Sequence, residues 1–133
     1  MERIRIRIDG EPIPAARPRF SGRHCYQPKR NVEYREVVQQ AARSAMDGRK
    51  PLSGEVSAVI KLYRRFKTTA RIFGDLDNHL KALLDALNGT AFEDDRQVVR
   101  CLVEKHTDAK NPRAEIELET FSTQVGNERS GRQ

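Results

Sequence analysis

Cysteine is scarce in this sequence: among 133 residues only Cys25 and Cys101 carry thiols, and they do not form a CxxC pair. That excludes a disulfide framework and a four-cysteine zinc site, and leaves two free thiols as the simplest reading. Long apolar runs are missing as well. No stretch approaches the ~18 residues needed to span a bilayer. Residues 3–8 alternate arginine with isoleucine where a signal peptide would need a continuous apolar segment. The expectation is a cytoplasmic protein with no membrane partner. No internal repeat is present, and 133 residues suffice for one domain. With 37% hydrophobic and 33% charged residues, the chain is polar yet patterned enough to carry a core.

Acid is short relative to base. Lysine and arginine number 25 against 19 aspartates and glutamates, a net charge of +6, which makes a polyanionic partner a reasonable first expectation. The distribution is more informative than the total. Residues 1–30 hold eight bases and three acids, and residues 61–71 add Lys61, Arg64, Arg65, Lys67 and Arg71 with no acid. Residues 75–95 reverse the sign: Asp75, Asp77, Asp85, Glu93, Asp94 and Asp95 stand against Lys81 alone. A basic chain thus concentrates its negative charge in one segment.

The hydrophobic periods predict a single α/β (α+β) domain over residues 1–121, in the order β-α-β-α-β-β, with two helices on a mixed four-stranded sheet. Ile4, Ile6 and Ile8 alternate with Arg3, Arg5 and Arg7, the period of a half-buried strand. Residues 9–30, with Pro12, Pro14 and Pro18, read as a long basic loop containing Phe20 and Tyr26. A first helix is expected from an Asn31 N-cap to Gly48. A second strand covers residues 55–63. Leu76, Leu80, Leu83, Leu84 and Leu87 form a helical stripe that stops at Asn88 and Gly89. Strands follow over residues 97–105 and from Ala114 to Glu119, and residues 122–133 read as a frayed tail.

Asp75 and Asp77 stand where an extended segment enters the second helix, and Lys81 and Asp85 continue along its polar face. Oxygen donors of this kind suit magnesium or manganese. They also suit a plainer role, with Asp75 as N-cap, Asp77 as a first-turn acid and i,i+4 pairs beyond it. Residue spacing alone leaves both readings open. Arg3, Arg5 and Arg7 share the period of Glu115, Glu117 and Glu119, which favours cross-strand pairing. Arg17, Arg19, Arg23, Lys29 and Arg30, interleaved with Phe20 and Tyr26, are better candidates for nucleic-acid contact, as are Arg64, Arg65, Lys67 and Arg71. His24, His79 and His106 lack metal-ligand spacing and read as surface or locally hydrogen-bonded residues.

The string GDLDNHLKALLDALNGTAFEDDRQVV, residues 74–99, resembles the RusA-type Holliday-junction resolvases, endodeoxyribonucleases often carried by prophages. The shared features are Asp75, Asp77 and Asn78, Lys81 four residues after the second aspartate, an amphipathic helix, and Asp94–Asp95 ahead of Val98 and Val99. The resemblance implies that Asp75, Asp77 and Asp95 bind Mg²⁺, with Mn²⁺ as a substitute, that Asp94 is a further candidate ligand, and that Lys81 is the essential base. It also implies a homodimer that resolves four-way or branched DNA by paired nicks in recombination and repair. The residues IPAARPRF depart from the proline- and asparagine-rich opening of the best-known members and look more like their phage-borne relatives. Two alternatives compete with this reading: a non-catalytic basic DNA-binding module, and another magnesium-dependent phosphoesterase acting on duplex DNA or nucleotides.

Overall fold

A computed structural model describes residues 2–16, 19–22, 24–65 and 76–121. Strand β1 (Arg3–Asp9) buries Ile4, Ile6 and Ile8 and exposes its arginines, as strict alternation demands. The basic loop is not wholly irregular. It holds a two-stranded hairpin, β2 (Arg19–Ser21) and β3 (His24–Tyr26), turning at Gly22 with φ +64°, a backbone region that costs glycine little.

Helix α1 (Lys29–Met46) starts two residues before the expected cap. Pro28, with φ near −57°, sets the entry, and its carbonyl accepts from the amides of Asn31 and Val32 at 3.0 and 3.2 Å. Asn31 is therefore already inside the first turn, and its side chain donates instead to the Pro14 carbonyl at 2.8 Å. The buried stripe of α1 is Tyr34, Val38, Ala42 and Met46, spaced by four, which leaves Val32 and Val37 exposed.

Strand β4 (Val56–Arg64) buries every second residue from Val56 to Arg64. Helix α2 (Leu76–Leu87) buries His79, Leu83, Ala86 and Leu87, while Leu76, Leu80 and Leu84 pack at the margin of the core. His79 is buried, which excludes the surface placement but not the locally bonded one expected beside it, because it lies on the same helical face as Leu83 and Leu87. Gly89, at φ +84°, ends the helix. A 3-10 turn (Asp95–Gln97) leads into β5 (Val98–Thr107), and β6 (Arg113–Thr120) completes the chain described.

The sheet order is β1-β6-β4-β5, with β6 antiparallel to both neighbours and β5 parallel to β4. The mixed four-stranded sheet, its two helices and the β-α-β-α-β-β order all match expectation, with the small hairpin added. One core joins the inward residues of β1, β4 and β6 to the buried stripes of both helices and to Leu52 and Phe92. No helix among the described residues is long and apolar enough to cross a membrane.

Candidate active site

Because β4 and β5 run parallel, α2, which links them, runs back along the sheet. Its first turn stands at the end where β4 finishes, and its last turn stands where β4 and β5 begin. The N-terminal end is anchored by the loop after β1. The Ala15 amide donates to the Asn78 carbonyl at 2.9 Å, and Glu11 accepts from buried Arg64 and, at 3.2 Å, from the Arg65 amide.

Asp77 occupies the first turn of α2 and is exposed; Asp75 lies outside the described residues. One turn on, Lys81 is exposed with its Nζ 4.0 Å from Asp85 Oδ2, a loose i,i+4 pair that leaves the ammonium largely solvated. Lys81 and Asp85 line a pocket of about 80 Å³ together with Ile13, Ala15, Asn31 and Tyr34. Tyr34 is buried and its hydroxyl has no hydrogen-bond partner among the described residues. Burial, followed by the nearby charge of Glu11, pushes the phenol well above the ordinary tyrosine range.

The second acidic group has a different local logic. Asp94 is extended and caps the 3-10 turn, its carboxylate accepting from the Arg96 amide at 2.9 Å and the Arg96 guanidinium at 3.2 Å. These bonds, the amide's foremost, hold its carboxyl below the usual aspartate value. Gln97 closes the box: its Oε1 accepts from the amides of Glu93 and Asp94 at 2.9 and 3.1 Å, and its Nε2 donates to the carbonyls of Leu52 and Gly54 at 2.8 and 2.9 Å. Asp94 is thereby engaged in shaping the turn. Asp95 is half-buried, and its Oδ2 lies 3.4 Å from Asn88 Nδ2.

That contact fixes Asp95 at the C-terminal end of α2. Asn88 follows Asp77 by eleven residues, about 16 Å of axial rise. One chain therefore does not bring Asp77 and Asp95 to a common ion, and among the described residues no three histidines, cysteines or acids form a metal-holding group. The helix returns its C-terminus, not its N-terminus, to the turn.

The basic candidates divide in the same way. Arg17, Arg23, Lys67 and Arg71 lie outside the described residues, and only the backbone of Arg19 is described. Lys29 and Arg30 are exposed on the first turn of α1, with Lys29 3.9 Å from Glu33, and Arg65 is exposed at the end of β4. Arg64, expected among the DNA-contacting bases, is turned by strand alternation to the buried side, where Glu11 holds its guanidinium. Arg3 pairs with Glu119 at 2.9 Å and Glu117 at 3.2 Å, and Arg5 with Glu117 at 3.4 Å. Arg7 lies opposite Glu115 in the register but pairs with Asp9 at 2.8 Å, because Arg113 takes Glu115 at 2.7 Å.

Sequence reasoning missed Glu11, Tyr34 and Gln97. The spacing Asp94-x-x-Gln97 was a visible capping-box signal. The other two depend on a loop folding back across the sheet end, which no local period reports.

Residues 9–119 match the family described as Endodeoxyribonuclease RusA. A relative from Bacillus subtilis (strain 168), the uncharacterized protein YqaN, is 28% identical over 143 aligned residues, covering 92% of this chain and 99% of the relative.

Proposed function

The chain belongs to the RusA family of endodeoxyribonucleases, and we propose that it is a divalent-metal-dependent homodimer that resolves four-way DNA junctions by paired symmetric nicks in recombination and repair. The observation that carries the reading is the exposed Asp77 and Lys81 on successive turns of α2, with Lys81 lining a pocket, in a chain whose residues 9–119 match the family.

The donor set fits a hard cation: Asp75, Asp77 and Asp95 offer carboxylate oxygens, and Asp77 and Asp95 are not locked into ion pairs among the described residues. Mg²⁺, or Mn²⁺ in its place, would be held by these residues and, when bound, lowers the pKa of water and stabilises developing phosphate charge. Asp94 is left out of the ligand set by its capping role. Lys81 neutralises negative charge at the scissile phosphate, its ammonium free to leave Asp85 at small cost. Lys29, Arg30 and Arg65, with Arg17, Arg19, Arg23, Lys67 and Arg71, hold the flanking strands.

The separation of Asp77 from Asp95 along α2 supports the dimer. Two copies about a two-fold axis can set Asp95 of the partner subunit beside Asp77, and the same axis relates two nicks across a symmetric junction. A labelled four-way junction and a linear duplex, each incubated with magnesium or with EDTA, test the function. Symmetric nicks in the junction alone, and only with magnesium, are expected. Binding without cleavage would favour the non-catalytic module, and equal cleavage of duplex would favour another phosphoesterase.

A further inference from the structure

The free edge of β5 is built unlike an ordinary sheet edge. A strand with one face on a core buries alternate residues, but Val99, Arg100, Cys101 and Leu102 are exposed in succession, with Val99 at 47% and Leu102 at 52% of full exposure. A register shift opposite Val56 and Ser57 accommodates Val99. Beyond it, Arg100, Leu102, Glu104 and His106 share the open face of the sheet with Ser57, Val59, Lys61 and Tyr63. Among the described residues no strand pairs with the outer side of β5 (Val98–Thr107), and apolar side chains stand at its middle.

We propose that this edge is where a second copy of the chain docks, β5 pairing antiparallel with β5 of the partner about a two-fold axis through Leu102. The inference rests on the homodimer proposed above and assigns its surface and register. With Leu102 opposite Leu102 of the partner subunit, Arg100 falls opposite the partner's Glu104, and Glu104 opposite the partner's Arg100. Cys101 meets the partner's Val103. Every directly opposed pair lies on one face, so the two opposite-charge pairs flank the apolar pair on the open side. Moving the axis by one residue either way sets Arg100 against leucine or Leu102 against glutamate, and the match is lost. The edge strand at the other side of the sheet cannot pair with itself in this way: about Arg5, β1 would set Arg3 against the partner's Arg7 and Arg5 against itself.

Pairing at β5 makes one eight-stranded sheet with the helices of both copies on the same side. It also runs the partner's β5 in the reverse direction, so the partner's Asp94–Asp95 turn arrives beyond Thr107, at the sheet end where α2 begins. Arg100 already lies over the Phe121 ring at 4.5 Å, and Glu104 receives His106 Nε2 at 3.0 Å, contacts that hold both side chains near the open face.

Sedimentation of the full chain across a concentration series tests the proposal. Arg100→Glu and Glu104→Arg each set like charges together twice per dimer and are expected to weaken association at least tenfold, whereas the double variant Arg100→Glu/Glu104→Arg is expected to recover to within a few-fold of wild type. In a Cys25→Ser/Cys101→Ser background, Leu102→Cys is expected to yield a disulfide-linked dimer on mild oxidation, because residues opposed in an antiparallel pair lie within disulfide reach. Arg5→Cys in that background is expected not to. A wild-type dimer that withstands both single charge reversals and leaves Cys at 102 unlinked overturns the β5 interface while the dimer stands. A wild-type chain that stays monomeric while cutting junctions overturns the dimer and this interface together, but not the nuclease.

Discussion

The guanidinium of Arg64 is buried at the end of β4 and held by Glu11, fifty-three residues away in the loop after β1. The pair ties that loop to the sheet end where α2 starts, and the Ala15 amide completes the tie by bonding to the Asn78 carbonyl.

Glu11→Gln keeps the size of the side chain but removes the charge facing buried Arg64. Unfolding in urea should show a loss of about 1–3 kcal/mol, the cost of leaving a buried charged donor less well paired. A variant as stable as wild type would mean that Arg64 is satisfied without Glu11.

Gln97→Ala removes four hydrogen bonds that join the acidic turn to itself and to the segment just ahead of β4. A stability loss of about 1–3 kcal/mol is expected, with junction cleavage reduced more than junction binding because Asp95 is no longer oriented. Denaturant titration and parallel binding and cleavage assays check both effects. Unchanged cleavage would separate Asp95 from the chemistry.

Tyr34→Phe deletes a buried hydroxyl with no partner among the described residues. Stability near neutral pH should be unchanged or higher by up to about 1 kcal/mol, since no bond is lost and a desolvation cost is relieved. The wild-type phenol is raised in the folded state, so its contribution is present below the ordinary tyrosine pKa and is lost as pH rises through the folded value. Wild type should therefore lose stability at alkaline pH more steeply than Tyr34→Phe. Melts of both proteins across that range show whether the two curves diverge in this sense.

Acid works through depressed carboxyls. Asp94 is lowered first by the Arg96 amide, and Asp108 first by the Arg113 side chain. Their stabilisation is present above the unfolded aspartate pKa, about 3.9, and is lost as pH falls through the lower folded values. Asp108→Asn should flatten the acid limb of a stability-against-pH curve; a limb of unchanged steepness would show that the Arg113 contact contributes nothing.

Much of the fold was legible from side-chain period alone. The Ile4–Ile6–Ile8 alternation marked the strand and the shared Arg/Glu period its partner, with Arg3 and Arg5 pairing as expected and Arg7 turning to Asp9, because a half-buried strand specifies its pairing through its faces. The leucine stripe and Asn88–Gly89 gave α2 and its end. What escaped was set by contacts distant in sequence. Nothing local distinguishes Arg64 from Arg65, yet strand parity buries one and exposes the other. His79 carries no mark of burial except its place among Leu83 and Leu87. The acidic residues of the candidate site were visible as a cluster in sequence, whereas their division between the two ends of α2 follows from the parallel β4–β5 crossover, a topological fact.

The acids near α2 are proposed to serve metal-dependent DNA cleavage. The most direct measurement of that role compares wild type with Asp77→Asn and Asp95→Asn on one labelled four-way junction, scoring binding in EDTA and cleavage in magnesium. Both variants are expected to lose cleavage while binding is retained or tightened, because each removes a negative charge from a surface that meets phosphates. Cleavage persisting in either variant, or binding and cleavage falling together, would contradict that role.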